Sequence, residues 1–574
     1  MNGKNRRTYG CWSRGLGQKR IPFIKNEENK LYTLPKFSTY LKSNLFTSTQ
    51  LQLVNFFENY SFVNKVEEYS YSKNTPYSIV YLRQSHFTNG TVRITKPGIY
   101  VLQENIVFNP NENNDFMPTT QQISSGLYPV GQTGAYNLGF FAAITVETNQ
   151  GVILDFNNKT IKQSILHNLQ QRFYAHIELA GAPFIPNQGP ASFSSESTFK
   201  TSQNVLVMNG TLGLSSHHGI HGNQMSNIIL QNLTFQDFEV AGIALNGAVH
   251  SILNNINILN THLDVRILSS YSQARFIRSF LKTVKNRTTD ASLNEVSIDT
   301  IISNLNNELT NARNSVISGN TPSNLFGNPD FQDGYDGNVY GIVLNVNGVV
   351  INDFITTRPE NAIGNQNIYL QNINVKNIIS KPVEIIGLNS LPDEGGAYGG
   401  KRQVGPAGDV FDISFVTQND IYNNNVLSDS QLIIAKYNDP KVGTTNIHSQ
   451  IVEWAENNTN LSDVMTANNY YFVNGGDSMG HFMKGNIGLF ISAGQNIKIN
   501  NCIIDKVENR GVNFQSIATQ HPNHVAGDAP GGNSYGMAIV GSTNIIKTGV
   551  QQISNIIKNS SLSEAHDIFE IREV

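Results

Sequence analysis

Apolar residues along this chain recur in short alternating runs rather than in long helical stripes. One motif stands out: Asn, aliphatic, any residue, aliphatic. It occurs as NVLV at 204–207, NIIL at 227–230, NIYL at 367–370, NIKI at 496–499 and NIIK at 544–547. A second version follows a few residues on, as NLTF at 232–235, NINI at 255–258, NINV at 372–375 and NCII at 501–504. A third run starts on Gly, as GIHGN at 219–223, GIALN at 242–246 and GIVLN at 341–345, with related runs at Gly488, Gly511 and Gly536. Alternation with period 2 over so few residues specifies strands and is too short for helices.

The intervals between the runs specify their arrangement. Gly219 to Gly242, Asn204 to Asn227, Asn232 to Asn255 and Gly488 to Gly511 are each 23 positions apart. Gly511 to Gly536 is 25 and Asn496 to Asn544 is 48, about two units. A unit of three short strands cannot bury its own apolar face, but stacked units share one Ile/Leu/Val core. The sequence thus predicts an all-β fold, a right-handed parallel β-helix (a solenoid) with about 23 residues per coil. In register, Ile220 and Ile243 point inward and His221 outward, beneath Ala244 and then Val343. Ile243→Asp is therefore expected to be severe and Ala244→Asp mild. Asn223, Asn246 and Asn345 fall in one column, expected to turn inward and tie successive coils together through their amides.

At this point the chain resembles the pectate-lyase-like superfamily. The resemblance covers about residues 90–574, broken by insertions, and GVILDFNNKTI at 151–161 is similar to the opening rung of such folds. It implies a carbohydrate-handling protein, lyase or hydrolase-like, working in a groove on the outside of the coils. The chain departs from the polygalacturonase-like pattern in having no adjacent Asp pair on a rung and no downstream Arg-x-Lys. It also lacks the acidic calcium cluster and arginine base of pectate lyases.

Composition narrows the possibilities. Of 574 residues, 40 are Lys or Arg and 43 Asp or Glu, a net charge of −3 that predicts no nucleic-acid partner for the main domain. Charged residues are only 14%, with Asn abundant in their place. That Asn/Ile/Lys-rich flavour resembles proteins of AT-rich giant viruses and protists. No apolar run reaches the length of a membrane span. Two cysteines, Cys11 and Cys502, form no disulfide framework and lean towards a reducing compartment. Residues 1–20 carry Lys4, Arg6, Arg7, Arg14, Lys19 and Arg20 and lack the apolar segment of a secretory signal. Residues 1–75 therefore read as a basic arm, able to dock on an acidic protein partner, and a lead-in that is helical or mixed over 40–72. Residues 76–574 read as the β-helix, with insertions at about 264–318, 388–410 and 436–484. The first of these has apolar positions at helical spacing and predicts two packed helices. The third contains a helical stretch at 447–466.

Candidate chemistry gathers in SSHHGIHGN and the rung after it. His217, His218 and His221 stand beside Asp237 and Glu239, and Glu239 falls one coil above Ser216. Asp237 and Glu239 are two apart, so on a strand both carboxyls face one way, about 6–7 Å apart. Two carboxyls beside histidines form a plausible acid/base set, so these five are the candidate catalytic residues. A second patch, RFYAHIELAGAPF, places His176 and Glu178 alternately with Ile177 and Leu179, predicting a shared outer face. With Arg172, Tyr174 and His250 they are the candidate sugar-binding residues. The histidine spacing matches no metal pattern, and no cofactor is expected. The expected function is a carbohydrate-handling enzyme or glycan-binding protein with its groove near residues 217–250. The alternative is a non-catalytic structural or surface protein of a virion, fibre or adhesin.

Overall fold

The computed structural model describes residues 46–63, 78–128 apart from 115, 139–170, 174–183, 200–260, 310, 339–345, 364–379, 485–509, 533–558 and 564–572. The basic arm, Arg172, the stretch 447–466 and, apart from Thr310, the insertions expected at about 264–318, 388–410 and 436–484 lie outside them.

Strands dominate the described residues. In chain order they are β1 (Ser78–Leu82), β2 (Val92–Ile94), β3 (Gly98–Leu102), β4 (Ile106–Phe108), β5 (Ala142–Val146), β6 (Val152–Gln163), β7 (Ala175–Glu178), β8 (Gln203–Leu212) and β9 (His218–Asn223). They continue as β10 (Ser226–Gln236), β11 (Ala241–Asn246), β12 (Ile252–Leu259), β13 (Tyr340–Asn345), β14 (Tyr369–Ile379), β15 (Gly485–Ser492), β16 (Gln495–Glu508), β17 (Asn533–Ile557) and β18 (Ala565–Arg572). Every ladder between them is parallel, and they form two sheets. The first runs β1–β3–β6–β8–β10–β12–β14–β16–β17. The second runs β2–β5–β7–β9–β11–β13–β15–β17–β18. From β8 onward the chain alternates between the sheets, and β17 passes through both. This is a parallel all-β arrangement compatible with a solenoid. Three strands of the first sheet, β1, β3 and β4, precede β6, so residues 151–161 are not its opening rung.

Asparagine makes the corners. Asn204, Asn227, Asn367, Asn496 and Asn544 all have φ between +54° and +57°. So do Asn209, Asn232, Asn255, Asn372 and Asn501 within a few degrees, in a second column. The left-handed region is costly for most L-residues, and Asn enters it most readily after Gly. Corner amides then donate to those of the preceding layer, as in Asn232 to Asn209 at 3.1 Å, Asn255 to Asn232 at 2.8 Å and Asn544 to Asn496 at 2.6 Å. Such a corner bends a strand without ending its ladder. That is why NIIL and NLTF, expected as two strands, are one bent strand, β10.

Inward columns are apolar from layer to layer: Leu154, Val207, Leu230, Leu253, Leu370 and Ile499 in the first sheet, and Ile144, Ile177, Ile220, Ile243, Ile342, Leu489 and Met537 in the second. All belong to one core between the sheets. The outward face of the first sheet is also covered. The lead-in forms a helix, α1 (Ser48–Val63). Its Gln50 side chain donates to the Ser251 and Asn367 carbonyls at 3.2 and 2.8 Å, and Phe46 meets Tyr369 edge-on at 5.0 Å.

Strict alternation fails at one place in the second sheet. Ala241 and Ala244 both lie in an outward apolar cluster, with Gly242 and Ile243 between them turned inward. A Cβ on Gly219 would sit 2.5 Å from the Gly242 carbonyl oxygen and 2.5 Å from the Phe235 ring. The two sheets close tightly along this Gly column, which continues through Gly341, Gly488 and Gly536.

Candidate functional site

The outward column of the second sheet reads, layer by layer, Arg93, Thr145, Glu178, His221, Ala244, Val343, Phe490, Ala538 and Phe569. Its first four members are polar and the next five apolar. The expected stack of His221 under Ala244 and Val343 is present. The apolar members from Ala244 to Ala538 are fully buried, so the face expected to be open is closed beyond His221.

Glu178 is the carboxylate that meets His221. Its Oε2 lies 2.7 Å from His221 Nδ1, and its side chain is 1% exposed against 13% for the imidazole. The polarity of this contact is set from the far end of a short relay. Asn223 Nδ2 donates to the Pro183 carbonyl at 2.9 Å, which can only accept. Asn223 therefore presents Oδ1 to Asn246 Nδ2, at 3.0 Å. The same Asn246 Nδ2 is 3.3 Å from His221 Nε2 and donates to it. His221 thus keeps its hydrogen on Nδ1 and donates it to Glu178. Asn223 and Asn246 are accordingly on the outward side beside His221, not turned inward as expected, although their common column with Asn345 is present.

His218 stacks on His221, with centroids 5.1 Å apart and planes at 21°, and His217 packs on His218 at 4.1 Å. Burial, then the neighbouring charges of His217 and His221, hold the His218 imidazole well below its ordinary pKa. Burial pushes the Glu178 carboxyl up, and the His221 charge and hydrogen bond offset part of that. Three buried atoms here have no hydrogen-bond partner, Glu178 Oε1, His218 Nδ1 and Asn246 Oδ1. Next along the column, Thr145 Oγ1 donates to Glu147 at 2.7 Å, and Glu147 is ion-paired with Arg93. Among the described residues no group of three or more His, Cys, Asp or Glu is placed to hold a metal ion.

The other candidate residues fall elsewhere. His176 does not share Glu178's face. It stands in register with Gly219, in the tight inward column, and is fully buried. Tyr174 donates its hydroxyl to His176 Nδ1 at 3.0 Å, and His176 Nε2 donates to the Gly213 carbonyl at 3.1 Å. Burial lowers its pKa to about 4. Asp237 is a corner, with φ +52°, so the strand alternation that aligned it with Glu239 does not hold. Glu239 is fully buried and one layer above Ser216, its N–H on the Ser215 carbonyl at 3.1 Å. His250, with φ +54°, replaces Asn in the first corner column, between Asn227 and Asn367. The pairing of Glu178 with His221 was missed because 43 residues separate them and the 23-residue interval is broken there. Aligning Ile177 of AHIELA with Ile220 of HGIHGN is the signal that finds it.

Searches against family models, curated proteins and solved structures give no match. Among the described residues no helix is long and apolar enough to cross a membrane.

Proposed function

We propose that this chain is a right-handed parallel β-helix of pectate-lyase-like architecture that handles carbohydrate on the outward face of its second sheet, around Glu178, His218 and His221. Crossovers between parallel strands of one sheet are right-handed in nearly all proteins, which supports the hand. One observation carries the function: Glu178 Oε1 and His218 Nδ1 are buried without partners beside the exposed edge of His221. A buried polar atom lacking a partner loses its hydration for nothing, and a ligand rich in hydroxyls restores the lost hydrogen bonds. The reaction class is polysaccharide lysis or hydrolysis, and the reading invokes no cofactor. The test is a panel of acidic and neutral polysaccharides, followed by the absorbance of unsaturated products and by new reducing ends. Product formation that disappears in His221→Ala supports turnover; binding without products supports a glycan-binding module.

A second reading is a non-catalytic surface or structural protein of a virion, fibre or adhesin, with the basic arm docked on an acidic neighbour. It is favoured by the sealed apolar column from Ala244 to Ala538 and by the Asn corner columns, which serve stability alone. Absence of both binding and product across the panel favours this reading.

A further inference from the structure

Charge around the site limits what it accepts. The outward positions nearest Glu178 are Thr145 and His221 in its own column, Ala175 and His218 on one side, and Glu147, Ala180, Asn223 and Asn246 on the other. Among the described residues the one permanent cation in these columns is Arg93. Its guanidinium is committed to Glu147 through Nε at 2.7 Å and through its other nitrogens to Glu147 again and to the Gly126 carbonyl. In the relay from Pro183, Asn246 donates to His221 Nε2 and the Nδ1 hydrogen is engaged by Glu178, so both ring nitrogens are committed. An acidic sugar would bring its carboxylate against Glu178 and Glu147 with no uncommitted cation in these columns, among the described residues, to meet it. A neutral sugar would bring a hydroxyl, which can both donate and accept.

Resting on the carbohydrate reading, we propose that this site selects neutral over acidic glycans, with Glu178 Oε1 as the atom that meets a sugar hydroxyl and His221 as a positioning residue. The relay gives the two Glu178 oxygens different tasks. Oε2 is held by the His221 N–H, so only Oε1 is left for the ligand. His221 fixes the carboxyl's rotation and does not itself exchange a proton. The roles differ from the sequence expectation, in which His221 was catalytic and Glu178 one of several binding residues.

The test has two arms on the full chain. In the first, binding of pullulan, a neutral glucan, is compared with binding of polygalacturonate for wild type, Glu178→Gln and Glu178→Asp, each checked for folding by its circular dichroism melt. Pullulan binding that weakens about tenfold or more in either variant is expected, the scale of one lost hydrogen bond to a charged group. Preference for polygalacturonate, or pullulan binding unchanged in both variants, overturns the proposal. Binding of neither glycan overturns the carbohydrate reading and this proposal with it. The second arm stands apart from any ligand: nitrogen-15 NMR of the His221 ring is expected to show hydrogen on Nδ1 and none on Nε2. Glycan binding with hydrogen on Nε2 overturns the positioning role alone.

Discussion

Ile243 and Ala244 are adjacent in sequence, and neither has any exposed surface. Ile243 is in the core between the sheets and Ala244 in the outward cluster with Tyr340, Val343 and Phe490. An aspartate at either position is an uncompensated buried charge, so each substitution is expected to cost about 3–5 kcal/mol. Denaturant titration of the two variants checks this, and a mild Ala244→Asp would mean the outer face is open. The phase of these residues was legible from alternation, but the cover over Ala244 was not, because a 23-residue pattern says nothing about what lies outside it. His176 shows the other limit. Alternation alone put it outward, and the Gly column that turns it inward is visible only when layers are aligned. Its burial has a pH signature. A folded pKa of about 4, against an ordinary 6.5, means the unfolded chain binds this proton first. The associated stability is complete above pH 6.5 and is lost as pH falls from there to about 4, on the order of 3 kcal/mol in total. Unfolding midpoints measured across that window should fall less steeply in His176→Gln, which can still accept from Tyr174 and donate to Gly213.

At the scale of the element, the unit of construction is a bent strand whose corner residue bonds to the corners above and below. The Asn columns were legible because their residue type and interval repeat. What their amides contact was legible in part: the corner amides bond from layer to layer, and Asn246 donates to Asn223 across layers as expected, but that pair also serves the His221 relay. His250 is the irregular member of the first column. It holds a left-handed φ that Asn adopts more readily, and its buried Nδ1 has no partner. It also interrupts the amide run that links Asn204 to Asn227 and Asn367 to Asn496, at 3.0 and 3.3 Å. His250→Asn is therefore expected to raise stability by about 1 kcal/mol, read as a higher denaturant midpoint. Asn232→Ala in the second column should lower it by about 1–2 kcal/mol, since a left-handed φ and two bonds are lost together.

Across the whole molecule, each layer touches chiefly its neighbours, so stability is a sum of local terms rather than one global contact set. Gly219→Ala crowds the Gly242 carbonyl and Phe235 and should act within its own surroundings. Hydrogen exchange measured by mass spectrometry is expected to show β7, β9 and β11 losing protection while β16 keeps it. Uniform loss along both sheets would show a single cooperative unit instead. The parallel all-β architecture was legible at this scale because short alternating runs at a fixed interval have few other solutions. The site was not, since Glu178 and His221 become neighbours only through a break in that interval.

The changeover from His221 to Ala244 along one line of positions has an evolutionary corollary. Gain or loss of a complete 23-residue unit beyond Ala244 shifts everything after it by one storey and leaves every adjacency before it intact. Descendants of such a chain could grow taller or shorter on the greasy side while inheriting the acid–imidazole pair unchanged.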